Sequence, residues 1–323
     1  MELKQTLFVV LKMTIAASVI LWLAASDKLD FNQLRVFEYE PLLLFEIVGL
    51  WFLGYVLLGG LRWYYIICGM NLKISYMRAV HLNMIGLFFN TTLPGAVGGD
   101  LIKIYYLVKE HPSNTNAAAL LTVLLDRAIG LVALLFIGGI AVISNFKYFL
   151  YSDVYWQMAV FILIGALVNM VCGAYFLTSI GKNRIQLHHA LPFKIPRFHL
   201  LTSLYDSLQV FRHRPQFLLS ANTLSILIRA LALFFAYELT RHLTHRTPDA
   251  AIFTLIFSLG IITTVIPLAP GGIGIGHLAF EKLFDIAELG QGANIFNVMT
   301  LGILALNLLG VVPYLLRKTD CET

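Results

Sequence analysis

The sequence predicts an all-α integral membrane protein, and three observations carry that prediction. Hydrophobic residues fill 59% of the 323 positions and charged residues 13%, with a mean hydropathy of +0.79, whereas soluble domains carry about 25% charged residues. The apolar residues fall in continuous runs of about 20, the length at which a helix crosses a bilayer. Lys and Arg gather in a few of the intervening loops, as orientation in a membrane requires. Runs of this number and length leave no room for a sizeable water-soluble domain. Soluble enzymes, nucleic-acid-binding modules and receptors with a large ectodomain are therefore poor readings. The formal net charge of +5 is loop asymmetry across a bilayer, not a nucleic-acid footprint.

Spanning runs lie at about 6–25, 41–61, 116–143, 156–180, 217–240 and 294–316, which predicts about six spanning helices. Two further runs, at about 76–93 and 250–268, end in proline and glycine. The first run starts near Glu2 and Lys4 and ends at Ala24, Ala25 and Ser26, so a cleaved signal peptide competes with a first helix. Its apolar stretch is longer than a signal peptide's, and an uncleaved helix is expected. Segment 181–215 is polar and basic, with Pro192, Pro196 and Pro215. Leu200, Leu201, Leu204, Leu208 and Phe211 recur there at helical spacing, which fits a short interfacial helix or a loop. One membrane domain, 1–323, is expected, with repeat 1 at about 41–143, the basic loop at 181–215 and repeat 2 at about 217–316. Cys68, Cys172 and Cys321 are far apart and are expected to be free thiols. No metal or cofactor is expected. Asn90-Thr91-Thr92 spells a glycosylation sequon, read as chance because it sits in an apolar run.

Charge sets the crossing count. The largest basic block, Lys182, Arg184, Lys194, Arg197, Arg212 and Arg214, belongs in the cytoplasm, and Arg62, Lys73 and Arg78 form a second cytoplasmic candidate. If 76–93 and 250–268 both crossed fully, those two blocks would face opposite sides. If each instead dips in and returns at Pro94 and Pro270, about fourteen basic residues face in and about six face out, with both termini cytoplasmic. The pattern thus favours two re-entrant segments. Three crossings lie between them, so they enter from opposite faces as an inverted repeat.

The repeat is visible in letters. Pro94-Gly95-Ala96-Val97-Gly98 and Pro270-Gly271-Gly272-Ile273-Gly274 share a Pro-Gly-x-aliphatic-Gly frame 176 positions apart. Such breaks at membrane depth are tolerated where the freed backbone is buried in protein or lines a wet cavity. The helix that restarts after each break offers unpaired N–H groups and a positive dipole end to an anion. Tight glycine-lined helix crossings are the alternative reading; two matching motifs in two halves favour a binding site.

Arg127, beside Asp126, and Arg229 fall near the middle of their runs, where an ionisable residue costs several kcal/mol and is usually functional or paired. A structural ion pair, Asp126 with Arg229 or Glu238 with an arginine, is one reading. Phosphate, which guanidinium grips in bidentate fashion, is the other. Asp100, Lys103 and Glu46 are weaker candidates. His277 and Glu281 share a helix face by their spacing of four and form either a proton-linked pair or a polar contact lining a cavity. Aromatic groups such as Trp63-Tyr64-Tyr65, Tyr105-Tyr106 and Tyr155-Trp156 read as interfacial belts.

Over essentially its whole length the chain resembles the lysylphosphatidylglycerol synthase transmembrane-region family (UPF0104), which includes the flippase half of the multiple peptide resistance factor. Asn90, Pro94, Gly98, Gly99, Asp100 and Lys103 look like the family's first signature, followed by Asp126-Arg127. Pro267, Pro270, Gly271, Gly272 and Gly274 are similar to its second, which usually continues to a Glu where this chain has His277, with Glu281 one turn on. The resemblance implies a role in moving polar lipids across the bacterial inner membrane. The chain shows no soluble aminoacyl-transfer domain, so it is not expected to make an aminoacylated lipid, nor to be an enzyme. A lipid translocase acting on a phosphate-bearing lipid is the leading expectation. A non-transporting partner or scaffold of a lipid-modifying or glycan-assembly enzyme is the alternative. A lipid-head hydrolase is disfavoured, because no nucleophile or metal constellation is evident.

Overall fold

The computed structural model describes residues 34–92, 98–111, 116–150, 152–178, 211, 214–265 and 272–316. The first apolar run, the segment 181–210 and the motif residues Pro94, Gly95, Pro267, Pro270 and Gly271 lie outside the described residues. Among the described residues the chain is helical, without strands. Nine principal helices follow in order: α1 Pro41–Gly69, α2 Tyr76–Thr92, α3 Gly98–Glu110, α4 Asn116–Ser144, α5 Asp153–Thr178, α6 Pro215–Thr244, α7 Ala250–Thr264, α8 Ile275–Ile286 and α9 Gly292–Leu316. Helices α1, α4, α5, α6 and α9 are long and apolar enough to cross a membrane. The protein is a multi-pass membrane protein of the all-α class.

Local chemistry sets the helix ends. Pro41 and Pro215 open α1 and α6 at positions where a missing N–H costs nothing. Asp249 caps α7 by accepting from the N–H groups of Ala251 (2.9 Å) and Ile252 (3.0 Å). Helix α1 is not uniform, because Leu50–Leu58 winds as a π-helix between two α-helical stretches. Such a segment locally breaks the regular hydrogen-bond register and is common beside functional sites.

The two Pro-Gly segments each join an antiparallel helical hairpin. In the first, Asn90 on α2 meets Gly99 on α3, Asn83 meets Lys103, and Arg78 meets Glu110 at the open end (2.9 Å). In the second, Phe257 stacks edge-on to Phe280 and Phe253 to Phe284, with Gly260 also under Phe280. Elements α1, α2, α3 and α4 reappear as α6, α7, α8 and α9, each starting 174 to 177 positions later. The two long leading helices run antiparallel: Gly54 packs on Leu231, Arg62 on Ser225, and Tyr65 on Phe217. Matched elements lying antiparallel are what an inverted repeat produces.

Polar ties cross the apolar interior. Trp51 Nε1 on α1 donates to Asn307 Oδ1 on α9 (2.9 Å), and Asn307 Nδ2 donates to Thr91 Oγ1 on α2 (3.1 Å). Interhelical hydrogen bonds of this kind are each worth about 1 kcal/mol in a membrane. Helix α5 is much less covered than α9, and Phe161, Ile164, Leu167 and Val168 stand exposed along it, as on a lipid-facing surface.

Candidate functional site

The first hairpin closes because its two helices touch backbone to backbone. A Cβ on Gly99 would lie 1.8 Å from the carbonyl oxygen of Gly86, so no other residue fits there without parting α2 from α3. Asn90 Oδ1 then accepts from the Gly99 N–H (2.9 Å), holding the first turn of α3 against the last turn of α2. Gly98, Gly99 and Asp100 are all buried. The sequon is closed off with them, since Thr91 and Thr92 are buried too.

Behind this contact stands a network of charge inside the spans. Arg62 Nε donates to Asp126 Oδ1 at 2.7 Å, and its Nη1 to Ser225 Oγ at 2.9 Å. Lys103 is only 4% exposed. Its Nζ sits 3.7 Å from Asp126 Oδ2, 3.4 Å from Asn83 Oδ1 and 4.3 Å above the Trp63 ring. Arg127 donates to Asp100 in a charge-assisted hydrogen bond. Arg229, halfway along α6, has no hydrogen-bond or ion-pair partner among the described residues, and its Nη2 lies beside Gly130.

Gly130 shows where the guanidinium groups meet. Its ideal Cβ position lies 3.3 Å from Arg229 Nη2 and 3.8 Å from Arg62 Nη1. The two nitrogens are thus at most about 7 Å apart, a gap that one phosphate spans at ordinary hydrogen-bond lengths. At an effective dielectric of about 20, like charges at that separation repel by roughly 2 kcal/mol. Among the described residues four cations, Arg62, Lys103, Arg127 and Arg229, face two carboxylates, Asp100 and Asp126. The arrangement therefore keeps an excess of positive charge in a region where charge is expensive. An anion placed at Gly130 relieves it.

Several readings of the sequence change here. Arg62 is no loop charge; it lies within α1 and holds Asp126, the role that the ion-pair reading gave to Arg229. Lys103 likewise lies inside the first hairpin. Removing both from the loop count leaves about twelve basic residues facing in against about six, which still favours the same orientation. Trp63 is fully buried beneath Lys103, with Nε1 donating to Thr122 (3.3 Å), and is no interfacial belt residue. Glu238 does pair with an arginine, but with Arg241 one turn on and partly exposed. Glu46 is outside the network.

The second motif is built differently. Gly272 (φ +72°) and Gly274 (φ +92°) adopt backbone that only glycine takes readily, and a Cβ on Gly272 would strike Thr264 at 2.6 Å. The His277 ring accepts from the Gly274 N–H at 3.4 Å through Nδ1, and its Nε2 meets Asn297 Oδ1 at 3.3 Å. Glu281 is exposed and makes no pair with His277. Sequence spacing placed these two on one face, and the turn instead draws the imidazole toward α9. No hydrogen bond or ion pair joins Gly272, Gly274, His277 or Glu281 to the charged network among the described residues.

Reading the chain alone missed Arg62, Trp63, Asn83, Gly130 and Ser225. One signal for Arg62 was available, because the apolar pattern resumes at Ile66-Ile67 and keeps it inside a span. The others are visible only once helices are packed.

A polytopic helical protein with a cationic network beside a glycine-broken hairpin defines the class. The family model described as lysylphosphatidylglycerol synthase TM region matches residues 9–313, and the chain belongs to that family. A UPF0104 membrane protein of Pyrococcus horikoshii is 28% identical over 78 residues, a match covering 24% of this chain and 23% of that relative. No solved structure matches this chain.

Proposed function

We propose that the protein is a translocase for a phosphate-bearing polar lipid, not an enzyme, and that the head group is held between Arg62 and Arg229 at Gly130. The observation that carries this reading is the convergence of two guanidinium groups there, one of them without a partner among the described residues. Arginine matches phosphate geometry, and its charge persists at depth. Exposed Leu101 and Leu124, next to Asp100 and one turn before Arg127, give the acyl chains an apolar surface beside the network. The hairpins are read as re-entrant segments entering from opposite faces, a reading supported by the antiparallel α1 and α6 and by the loop charges. The family resemblance points to the bacterial inner membrane, and the loop charges favour both termini in the cytoplasm.

Reconstitution into liposomes with fluorescent head-group lipids, read by dithionite bleaching, tests the proposal. Bleaching beyond the outer leaflet's share, lost in Arg229→Ala, is the expected result. Bleaching indistinguishable from empty liposomes for every phospholipid offered would favour the scaffold reading.

A further inference from the structure

Resting on the translocase reading, we infer that the lipid is a phosphomonoester, carrying two negative charges on a terminal phosphate, and not a phosphodiester carrying one. The argument is charge balance in a confined place. Asp100 is committed to Arg127, and Asp126 serves Arg62 and Lys103 together. That leaves one positive charge from the Arg62–Lys103–Asp126 trio and a second from Arg229. Among the described residues no other carboxylate pairs with Arg62, Lys103 or Arg229. Both guanidinium groups reach one point, since Arg62 Nη1 and Arg229 Nη2 each lie within 4 Å of the Gly130 Cβ position, and Lys103 shares the Asp126 carboxylate that Arg62 holds.

A diester phosphate would neutralise one of these charges and leave the other uncompensated where water is scarce. A monoester is doubly charged at neutral pH, because its second ionisation lies near pH 6. It also offers three terminal oxygens, enough for both guanidinium groups. The ester linkage and tails then leave on the fourth oxygen. The site selects by charge and by oxygen count, and what lies beyond the ester is left to the apolar surface.

Phosphatidic acid and phosphatidylglycerol with identical acyl chains isolate this difference. The full-length protein in nanodiscs or mixed micelles is titrated with each, with native mass spectrometry or intrinsic fluorescence as the readout. Phosphatidic acid is expected to bind at least tenfold more tightly. Arg229→Gln should weaken binding of both lipids, phosphatidic acid at least tenfold and phosphatidylglycerol less, so that most of the preference is lost, and Arg229→Lys should retain part of it. Equal binding of the two lipids overturns the inference but leaves the translocase reading intact. Binding of neither overturns both. Displacement of phosphatidic acid by inorganic phosphate at equal concentration would mark a site for the free anion, and would also overturn the lipid assignment.

Discussion

The two hairpins share a frame and differ in chemistry. At the 176-position offset that aligns Pro94 with Pro270, Asn83 is matched by Leu259, Gly99 by Ile275, Asp100 by Gly276, Lys103 by Ala279, Asp126 by Gly302 and Arg127 by Ile303. The second hairpin closes on edge-on phenylalanine pairs, the first on a glycine–glycine backbone contact with charge behind it. Repetition of the frame thus supplies a scaffold, in which the first copy carries Arg62, Asp100, Lys103, Asp126 and Arg127 and the second adds Arg229 to the network. The account is therefore of one anion site, displaced toward the first hairpin, and not of a symmetric site shared equally by both motifs.

The sharpest way to break the comparison is at the helix contact. Gly99→Ala forces a Cβ into the Gly86 carbonyl, and nothing flexible can yield. It should cost more than about 4 kcal/mol, seen as loss of monodisperse protein in detergent, whereas Ile275→Ala at the matched position should leave folded protein. Next comes Arg62→Ala, which strips Asp126 of its nearest cation. Breaking a buried pair costs about 3–5 kcal/mol. Thermal unfolding should show that loss, and adding Asp126→Ala should recover at least half of it. If Arg62→Ala proves harmless, Lys103 alone satisfies Asp126 and the trio is wrongly assigned.

The second hairpin should respond to backbone, not to charge. Gly274→Ala places a side chain at φ +92° in open space, a strain of about 1–3 kcal/mol, with lipid movement retained in the protein that folds. His277→Ala removes the ring contacts to the Gly274 N–H and Asn297 and should cost about 1 kcal/mol. A larger effect on transport than on unfolding would move the site toward the second motif.

Much of this was legible in the sequence. Runs of about 20 apolar residues gave the long helices, and the repeated Pro-Gly frame gave the matched hairpins, because both follow from bilayer thickness and backbone chemistry. Asp126 and Arg127 were identifiable as charges out of place in an apolar run, and Asp100 and Lys103 as weaker candidates on the helix that restarts after the first motif. Their partners were not. Arg62 closes its pair with a residue 64 positions away and Ser225 lies 163 positions from Arg62, so neither contact leaves a local pattern. Reading Arg62 as a loop charge followed from ending its run at Gly60-Leu61, although the π-helical stretch before it continues directly into α-helix. His277 shows the opposite failure. Its spacing from Glu281 was right for a shared face, but the imidazole was claimed by the turn and by Asn297.

The central claim rests on Arg229, the cation with no partner of its own among the described residues, and one paired measurement tests it. Lipid movement in liposomes and the unfolding midpoint in detergent are recorded for the wild type, Arg229→Ala and Arg229→Lys. The account predicts that Arg229→Ala lowers the translocation rate by at least about tenfold, equivalent to about 1.4 kcal/mol. Its unfolding midpoint should be unchanged or raised, because a repulsion with Arg62 is removed. Arg229→Lys should restore part of the rate, since it keeps the charge without the bidentate fork. A midpoint that collapses in Arg229→Ala, or a rate that does not change, would contradict it.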